Sequence, residues 1–152
     1  MQQWLPGPVE LLRIAEYECG WRAHSGGFHP ALLCATLYGE RLGDWEAAAE
    51  VAHGVLRIEE FNPLLRVESH RLLGRSNAAL GRHAAACAAA ECAVAEAASA
   101  RYVWLEALSL HDILAWCEAG AAEGVRSRLS AVVGRLAATA EELRTFVPRL
   151  YR

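Results

Sequence analysis

The residues of this sequence that could bind a metal lie in one short stretch. His83 and Cys87 are four residues apart in a predicted helix, so both could reach the same ion, and Cys92 lies a further turn along. A structural zinc site needs about four such ligands, usually as two spaced pairs. No second pair lies nearby in the sequence. A small thiol packed among alanines, beside a surface histidine, explains the pattern better, and no metal is predicted.

Residues that could transfer a proton are equally isolated. His111 and Asp112 could form an oriented base, but no nucleophile or metal motif accompanies them. The sequence has no phosphate-binding loop, no G-x-S-x-G elbow and no H-E-x-x-H motif. The carboxylate pairs Glu59-Glu60 and Glu141-Glu142 are adjacent, so their members point to different sides of a helix. We therefore predict no catalytic residue and no cofactor.

The composition favours helices. The chain has 152 residues, enough for one domain that folds without a metal or a disulfide. Hydrophobic residues make up 54% of it, but aromatic residues only 8%, and 30 residues are alanine. Alanine is the best helix former, whereas strands favour branched and aromatic side chains. The predicted fold class is all-α.

Charge and cysteine content restrict the partners and the compartment. The net charge is −3, with 15 basic residues that are all arginine, so nucleic-acid binding is disfavoured. The five cysteines are an odd number without a C-x-x-C pair, which is typical of reduced core thiols in an intracellular protein. The sequence predicts no membrane span and no secretory leader. The expected location is the cytoplasm.

Turn signals recur along the chain at a nearly constant interval. Gly43, Gly81 and Gly120 are separated by 38 and 39 residues, and each is flanked by helical patterns. Asp44, Asn62 and Ser99 are expected to cap the helices that follow them. A repeat of this length, made of helix, turn and helix, indicates stacked hairpins that bury their faces against one another.

The predicted organisation is a single domain of three hairpins with an extra helix at each end. Its bounds are an N-terminal helix over 8–23, hairpins over 30–61, 63–98 and 100–138, and a C-terminal capping helix over 140–152. Thr139 and Glu142 have the spacing of a capping box, which predicts the start of the last helix. The five tryptophans fall mostly on apolar helical stripes and are expected in the core, with Trp4 as the exception.

The segment "LGDWEAAAEVAHGVLRIEEFNP" resembles the second half of a tetratricopeptide repeat, with Gly43, an acidic residue, Trp45 and the small Ala48. The second unit supplies the Leu-Gly pair of that family at Leu73-Gly74, followed by its turn glycine and a small residue. The period is a few residues longer than the 34 of the family. Gly39, Asn77 and Trp116 stand where its first-helix tyrosine is expected.

This resemblance implies a right-handed α-α superhelix whose first helices line a concave, peptide-binding surface. Aligned on the turn glycines, the implied peptide-binding residues are Leu33, Leu37, Arg41, Glu68, Arg71, Arg75, Leu110, His111 and Leu114. Arg71 and Arg75 share a helix face, so an acidic, amphipathic partner is expected to meet them. Alternatively, Arg71 pairs with Glu68 and the leucines contact the N-terminal helix.

The function predicted from these features is a non-catalytic protein-interaction module or scaffold that binds a peptide or a helix. Two alternatives stay open. The chain could be a small-ligand-sensing or enzyme-associated helical domain, or a structural homo-oligomer, with a homodimer as the simplest form. An open groove, a polar pocket and a symmetric apolar contact would distinguish the three.

Overall fold

The fold is helical throughout the part of the chain that the computed structural model describes, which is residues 30–58, 62–116 and 119–150. The helices are α1 (Pro30–Leu37), continued by a π-helical segment (Tyr38–Leu42), then α2 (Trp45–Ile58), α3 (Pro63–Ala79), α4 (His83–Ser99), α5 (Val103–Trp116) and α6 (Ala119–Leu150). No strand occurs in these ranges. The all-α prediction is confirmed, and the helix predicted over 8–23 lies outside the described residues.

Two helix starts are capped as the sequence predicts. The Oδ1 atom of Asn62 accepts hydrogen bonds from the backbone N–H groups of Leu64 at 3.1 Å and Leu65 at 3.3 Å, and Pro63 occupies the first helical position. At the start of α2, Asp44 Oδ1 accepts from the Ala47 N–H at 3.1 Å. These bonds satisfy backbone donors that have no partner inside the helix.

Three helices end with a residue in the left-handed conformation. Gly43 (φ 71°) follows α1 and its π-helical segment, Gly81 (φ 74°) follows α3, and Arg101 (φ 60°) follows α4. Gly43 and Gly81 therefore act as the predicted turn glycines. Gly120 does not, because it lies within α6. Ser99 is the last residue of α4 and not the cap of α5, since the turn comes later, at Arg101.

The last described helix, α6, is a single element of 32 residues. The sequence predicts a helix boundary at Thr139, whereas α6 runs without a break from Ala119 to Leu150. Alanines surround Thr139 on both sides, and their high helix propensity outweighs a capping signal that would need a break in the helix.

Each helix packs against the next one along the chain, and α3 also packs against α1 and α5. One core cluster joins α1, α2 and α3 around Val51, Val55 and Leu72. A second joins α4, α5 and α6 around Leu110 and Val132. The two are linked through α4, whose buried face is mostly alanine and lets its neighbours approach closely.

Glycines in α3 and in the π-helical segment make room for tryptophan rings. A Cβ atom at Gly74 would lie 2.9 Å from Cζ3 of Trp116 and 3.3 Å from the Ala86 carbonyl oxygen. A Cβ atom at Gly39 would overlap the ring of Trp45. Both tryptophans are partly buried, as expected for packing residues. The close approach of α3 to α4 and α5 therefore depends on a missing side chain at residue 74.

Candidate functional site

Helices α1, α3 and α5 are neighbours, and the ion pairs from Arg71 to Asp112 and from Arg75 to Glu40 define a surface that they share, which we call the front face. Helical spacing places the other members beside these residues, and the described set is Leu37, Glu40, Arg41, Glu68, Arg71, Arg75, Trp104, Leu108, His111 and Asp112. Most of the residues predicted to bind a peptide belong to this set. The structure therefore brings residues from three predicted units onto one surface.

Arg71 forms ion pairs with two carboxylates of the protein itself. Its Nε donates to Asp112 Oδ2 of α5 at 3.0 Å, and its Nη1 lies 3.5 Å from Glu68 Oε1 on its own helix. The side chain is 13% exposed. The carboxylate that a partner was expected to supply is thus present within the fold, and Arg71 connects α3 to α5.

Arg75 and Arg41 are less engaged. Nη1 of Arg75 lies 3.4 Å from Oε1 of Glu40, which belongs to the π-helical segment after α1. That leaves most of its guanidinium donors without a bonded acceptor. Arg41 is exposed. These two arginines are the basic groups of the front face that an external carboxylate can reach.

The leucines of the predicted site differ in their exposure. Leu37 and Leu114 are partly buried, and the side chain of Leu33 lies outside what the structure describes. Leu110 is 1% exposed and packs in the core between α4 and α6, so it cannot contact a partner. The sequence alignment used Gly120 as the third turn, but α5 ends before that residue. Because each residue turns a helix by about 100°, a small error in register selects the wrong face.

Trp104 is the front-face residue that the sequence analysis missed. It was expected in the core, yet it is 62% exposed, while His111 is exposed on the same side of α5 two turns later. The helical spacing of α5 could have predicted this exposure, because Trp104 is its second residue. The buried side of α5 is formed by Glu106, Ala107, Ser109, Leu110 and Ile113. Trp104 does not belong to this side of the helix.

The groups considered for metal binding do not assemble with further ligands. His83 and Cys87 lie on α4, and no group of three His, Cys, Asp or Glu residues suited to a metal occurs among the described residues. Cys34, Cys87 and Cys92 form no disulfide bond, and Cys92 is exposed rather than part of the core. Cys19 and Cys117 lie outside the described residues.

A cavity of about 510 Å³ opens on the opposite side of α3, and we call it the rear cavity. It is lined by Asp44, Glu46, Ala47, Ala49, Glu50, His53, Asn77 and Arg82. Asn77 is nine residues after Glu68, or about two and a half helical turns, which places it on the far side of α3 from the front face. The cavity was not predicted, because its residues come from a turn, two helices and a cap that are separated in sequence.

The charges of the rear cavity are only partly paired. Both Nη atoms of Arg82 bond the carboxylate of Glu46. Asp44 uses Oδ1 to cap α2, and Glu50 is exposed with no bonded partner among the residues that the structure describes. Asn77 also lines the cavity, is 9% exposed, and donates from Nδ2 to the Leu73 carbonyl at 3.0 Å.

A partly buried histidine, His70, lies on α3 close enough to His53 of the cavity lining for their charges to interact. Burial lowers the pKa of His70 below the usual 6.5, and the positive charges of Arg66 and His53 lower it further, against a raising effect of Glu96. The Nδ1 atom of His70 is buried without a hydrogen-bond partner. The neutral imidazole is therefore the form that the fold favours.

Comparisons with known proteins give no assignment. No family model matches the chain, and neither a curated protein nor a solved structure matches it significantly. Within the described ranges, every helix is too short or too polar to cross a lipid bilayer.

Proposed function

We propose that this protein is a non-catalytic interaction module of the tetratricopeptide-like kind, whose first helices bind an amphipathic segment of a partner protein. The observation that carries the proposal is the exposed Trp104 on a surface that three adjacent helices share. A large aromatic ring in water is a typical anchor of a protein interface, because it loses most of its contact with water on binding.

The chemistry of the partner follows from the groups that remain available on the front face. Trp104 and the partly buried Leu108 accept apolar side chains, and Arg75 and Arg41 accept carboxylates. Arg75 is near the end of α3 and Trp104 near the start of α5, so one segment contacts both by crossing the face diagonally. The partner is therefore amphipathic and acidic at one end, and we place this interaction in the cytoplasm.

Site-specific crosslinking in cells tests the proposal. A photoreactive phenylalanine analogue replaces Trp104, and a matched variant carries it at Val133, which is exposed on α6. We expect the residue-104 probe to trap one partner that the residue-133 probe does not trap. The same adducts at both positions, or none at residue 104, contradict the proposal. Adducts of the protein with itself indicate the homo-oligomer instead.

A titration then tests the chemistry of the interface. Trp104→Ala should weaken binding of the trapped partner at least tenfold, since truncation of an anchor aromatic costs about 2 kcal/mol or more. Arg75→Glu should weaken it more at low salt than at high salt, because salt screens exposed charges. Val133→Ala is the control and should leave the affinity unchanged.

A further inference from the structure

We propose that the partner segment on the front face binds as an α-helix, with apolar residues on Trp104 and Leu108 and its acidic end at Arg75. This inference rests on the function proposed above and adds the conformation of the bound segment. Two observations on the described front face carry it. The face lacks groups that could bond an extended backbone, and its exposed residues on α5 have helical spacing.

An extended segment needs hydrogen-bond partners for its own backbone when a surface buries it. Neutral side chains such as those of Asn, Gln, Ser and Thr suit this role, because they can both donate and accept. The described front face contains none of these four residue types. It consists of leucines, one tryptophan, one histidine and charged residues.

The neutral polar side chains described on α1, α3 and α5 are turned inward or already bonded. Thr36 is partly buried and donates from Oγ1 to the Leu32 carbonyl at 2.8 Å. The others are at most 9% exposed, and they are Ser69, Ser76, Asn77 and Ser109. The main chain adds little, because N–H and C=O groups in the middle of a helix bond to each other. A helical partner needs none of these groups, since its backbone is bonded internally.

The charged side chains of the face do not replace them. Arg71 already binds Asp112 and Glu68. Next to Trp104 and Leu108, the described face offers one imidazole, that of His111, which can serve only one or two backbone groups. A buried amide group without a partner is costly. The surroundings of Trp104 therefore favour a segment that satisfies its own backbone.

The spacing of the exposed residues on α5 agrees with a helical partner. Trp104, Leu108 and His111 follow one another at intervals of four and three residues, which places them in a row along one side of the helix. Such a row packs into the groove between the side chains of a second helix, which repeat at the same intervals.

The ion pairs between helices indicate how long the bound helix is. Asp112 is level with Arg71, because their side chains bond at 3.0 Å. Trp104 lies eight residues before Asp112, and Arg75 lies four residues after Arg71. Helices α3 and α5 run in the same direction, since short turns join both to α4. With adjacent axes about 9 Å apart, Trp104 and Arg75 are separated by about 20 Å, which takes about 13 helical or about 6 extended residues.

Two crosslinking positions measure this spacing in the full-length protein. The photoreactive phenylalanine analogue used at residue 104 is placed at residue 75 in a second variant, in which Arg41 remains to hold the acidic end. Mass spectrometry then locates both adducts in the trapped partner. We expect the two adduct sites to be about 10–16 residues apart in its sequence.

The outcomes separate this inference from the proposed function. Adduct sites about 4–8 residues apart overturn the helical conformation, and so does a residue-75 probe that traps nothing from that partner. The residue-104 adduct would still support the proposed function in both cases. If residue 104 traps no partner, the proposed function itself fails.

Synthetic peptides of the trapped sequence test the conformation independently. Two residues opposite the adduct sites are changed to alanine in one peptide and to glycine in the other. Because glycine is a much poorer helix former than alanine, we expect the glycine peptide to bind about tenfold more weakly or worse. Circular dichroism should show helix gained when the alanine peptide binds. Equal affinities of the two peptides overturn the proposal.

Discussion

The two sides of α3 use charged residues differently. On the front face, Arg71 is matched by Asp112 and Glu68, and the pair joins α3 to α5. Along the rear cavity, Arg82 is matched by Glu46, whereas Glu50 is exposed and has no cationic partner among the described residues. A charge that is matched within the fold holds helices in place, whereas an unmatched one is available to a ligand. Of the two arginines that the sequence places on this face, Arg71 therefore joins helices, whereas Arg75 stays available to a partner.

Arginine connects helices elsewhere in the molecule in the same way. Inter-helix pairs join Arg66 to Glu96 at 2.7 Å, Arg128 to Glu91 at 2.7 Å and Arg135 to Glu106 at 2.7 Å. The hydrogen bonds that Arg128 donates to Glu91 raise the pKa of the Arg128 guanidinium. The planar guanidinium suits such contacts, since it can bind both oxygens of one carboxylate.

The largest expected effect tests whether Arg71 is structural. Arg71→Glu places a third carboxylate beside Asp112 and Glu68 at a site with little exposure. We expect the free energy of unfolding to fall by about 3–5 kcal/mol, as for the loss of one partner from a buried ion pair. Chemical denaturation followed by circular dichroism measures the change.

Arg75→Glu is the matched control on the same helix. Its pair with Glu40 is half-exposed, so we expect a loss of about 1 kcal/mol or less. If the two variants lose the same stability, the distinction between a structural and an available arginine fails. If the expected difference is found, only the Arg75 variant is suitable for binding experiments.

A smaller loss of stability is expected from a substitution at Gly74, where α3 lies close to Trp116 of α5 and Ala86 of α4. Gly74→Ala should lower the free energy of unfolding by about 1–3 kcal/mol, because the added methyl must displace the Trp116 ring. Gly124→Ala in α6 is the control, since no atom lies within 4 Å of its Cβ position. It should raise stability by about 0.5–1 kcal/mol. If Gly74→Ala unfolds with the same free energy as the wild type, the packing of α3 against α5 is looser than the distances indicate.

The sequence predicts the features of this fold that depend on neighbouring residues. Asp44 and Asn62 cap their helices, and Gly43 and Gly81 adopt left-handed conformations, because these properties are set within a few residues of chain. The third turn was misplaced at Gly120, since a glycine among alanines can also lie inside a helix. That error shifted the register of α5 and selected the buried Leu110.

Features that depend on distant residues were not predictable in the same way. Nothing near Arg71 in the sequence indicates that Asp112, 41 residues later, will neutralise it. Asn77 is predicted only as a departure from the family pattern, and its place in the lining of the rear cavity depends on α2 and Arg82, which are distant in sequence. Ion pairs between helices decide which polar groups remain available to a partner, and the hydrophobic periodicity of the sequence does not reveal these pairs.

The smallest expected effect concerns the rear side, where His70 lies among Arg66, Glu96 and His53. The folded state lowers the pKa of His70, so the unfolded chain takes up a proton first as the pH falls through 6.5. The unfolded state then binds more protons than the folded state, and the free energy of unfolding decreases with falling pH. Above that range both states hold a neutral imidazole, and His70 contributes no pH dependence.

His70→Gln removes this contribution and keeps a polar side chain on α3. We expect wild-type protein to lose more stability than the variant between about pH 7.5 and pH 5, measured by denaturant midpoints at several pH values. His83→Gln, which removes an exposed imidazole at the start of α4, is the matched control for the loss of one histidine. Parallel profiles for wild type and His70→Gln would show that His70 is protonated as easily in the fold as in the unfolded chain. The rear side of α3 would then be better hydrated around His70 than its geometry indicates.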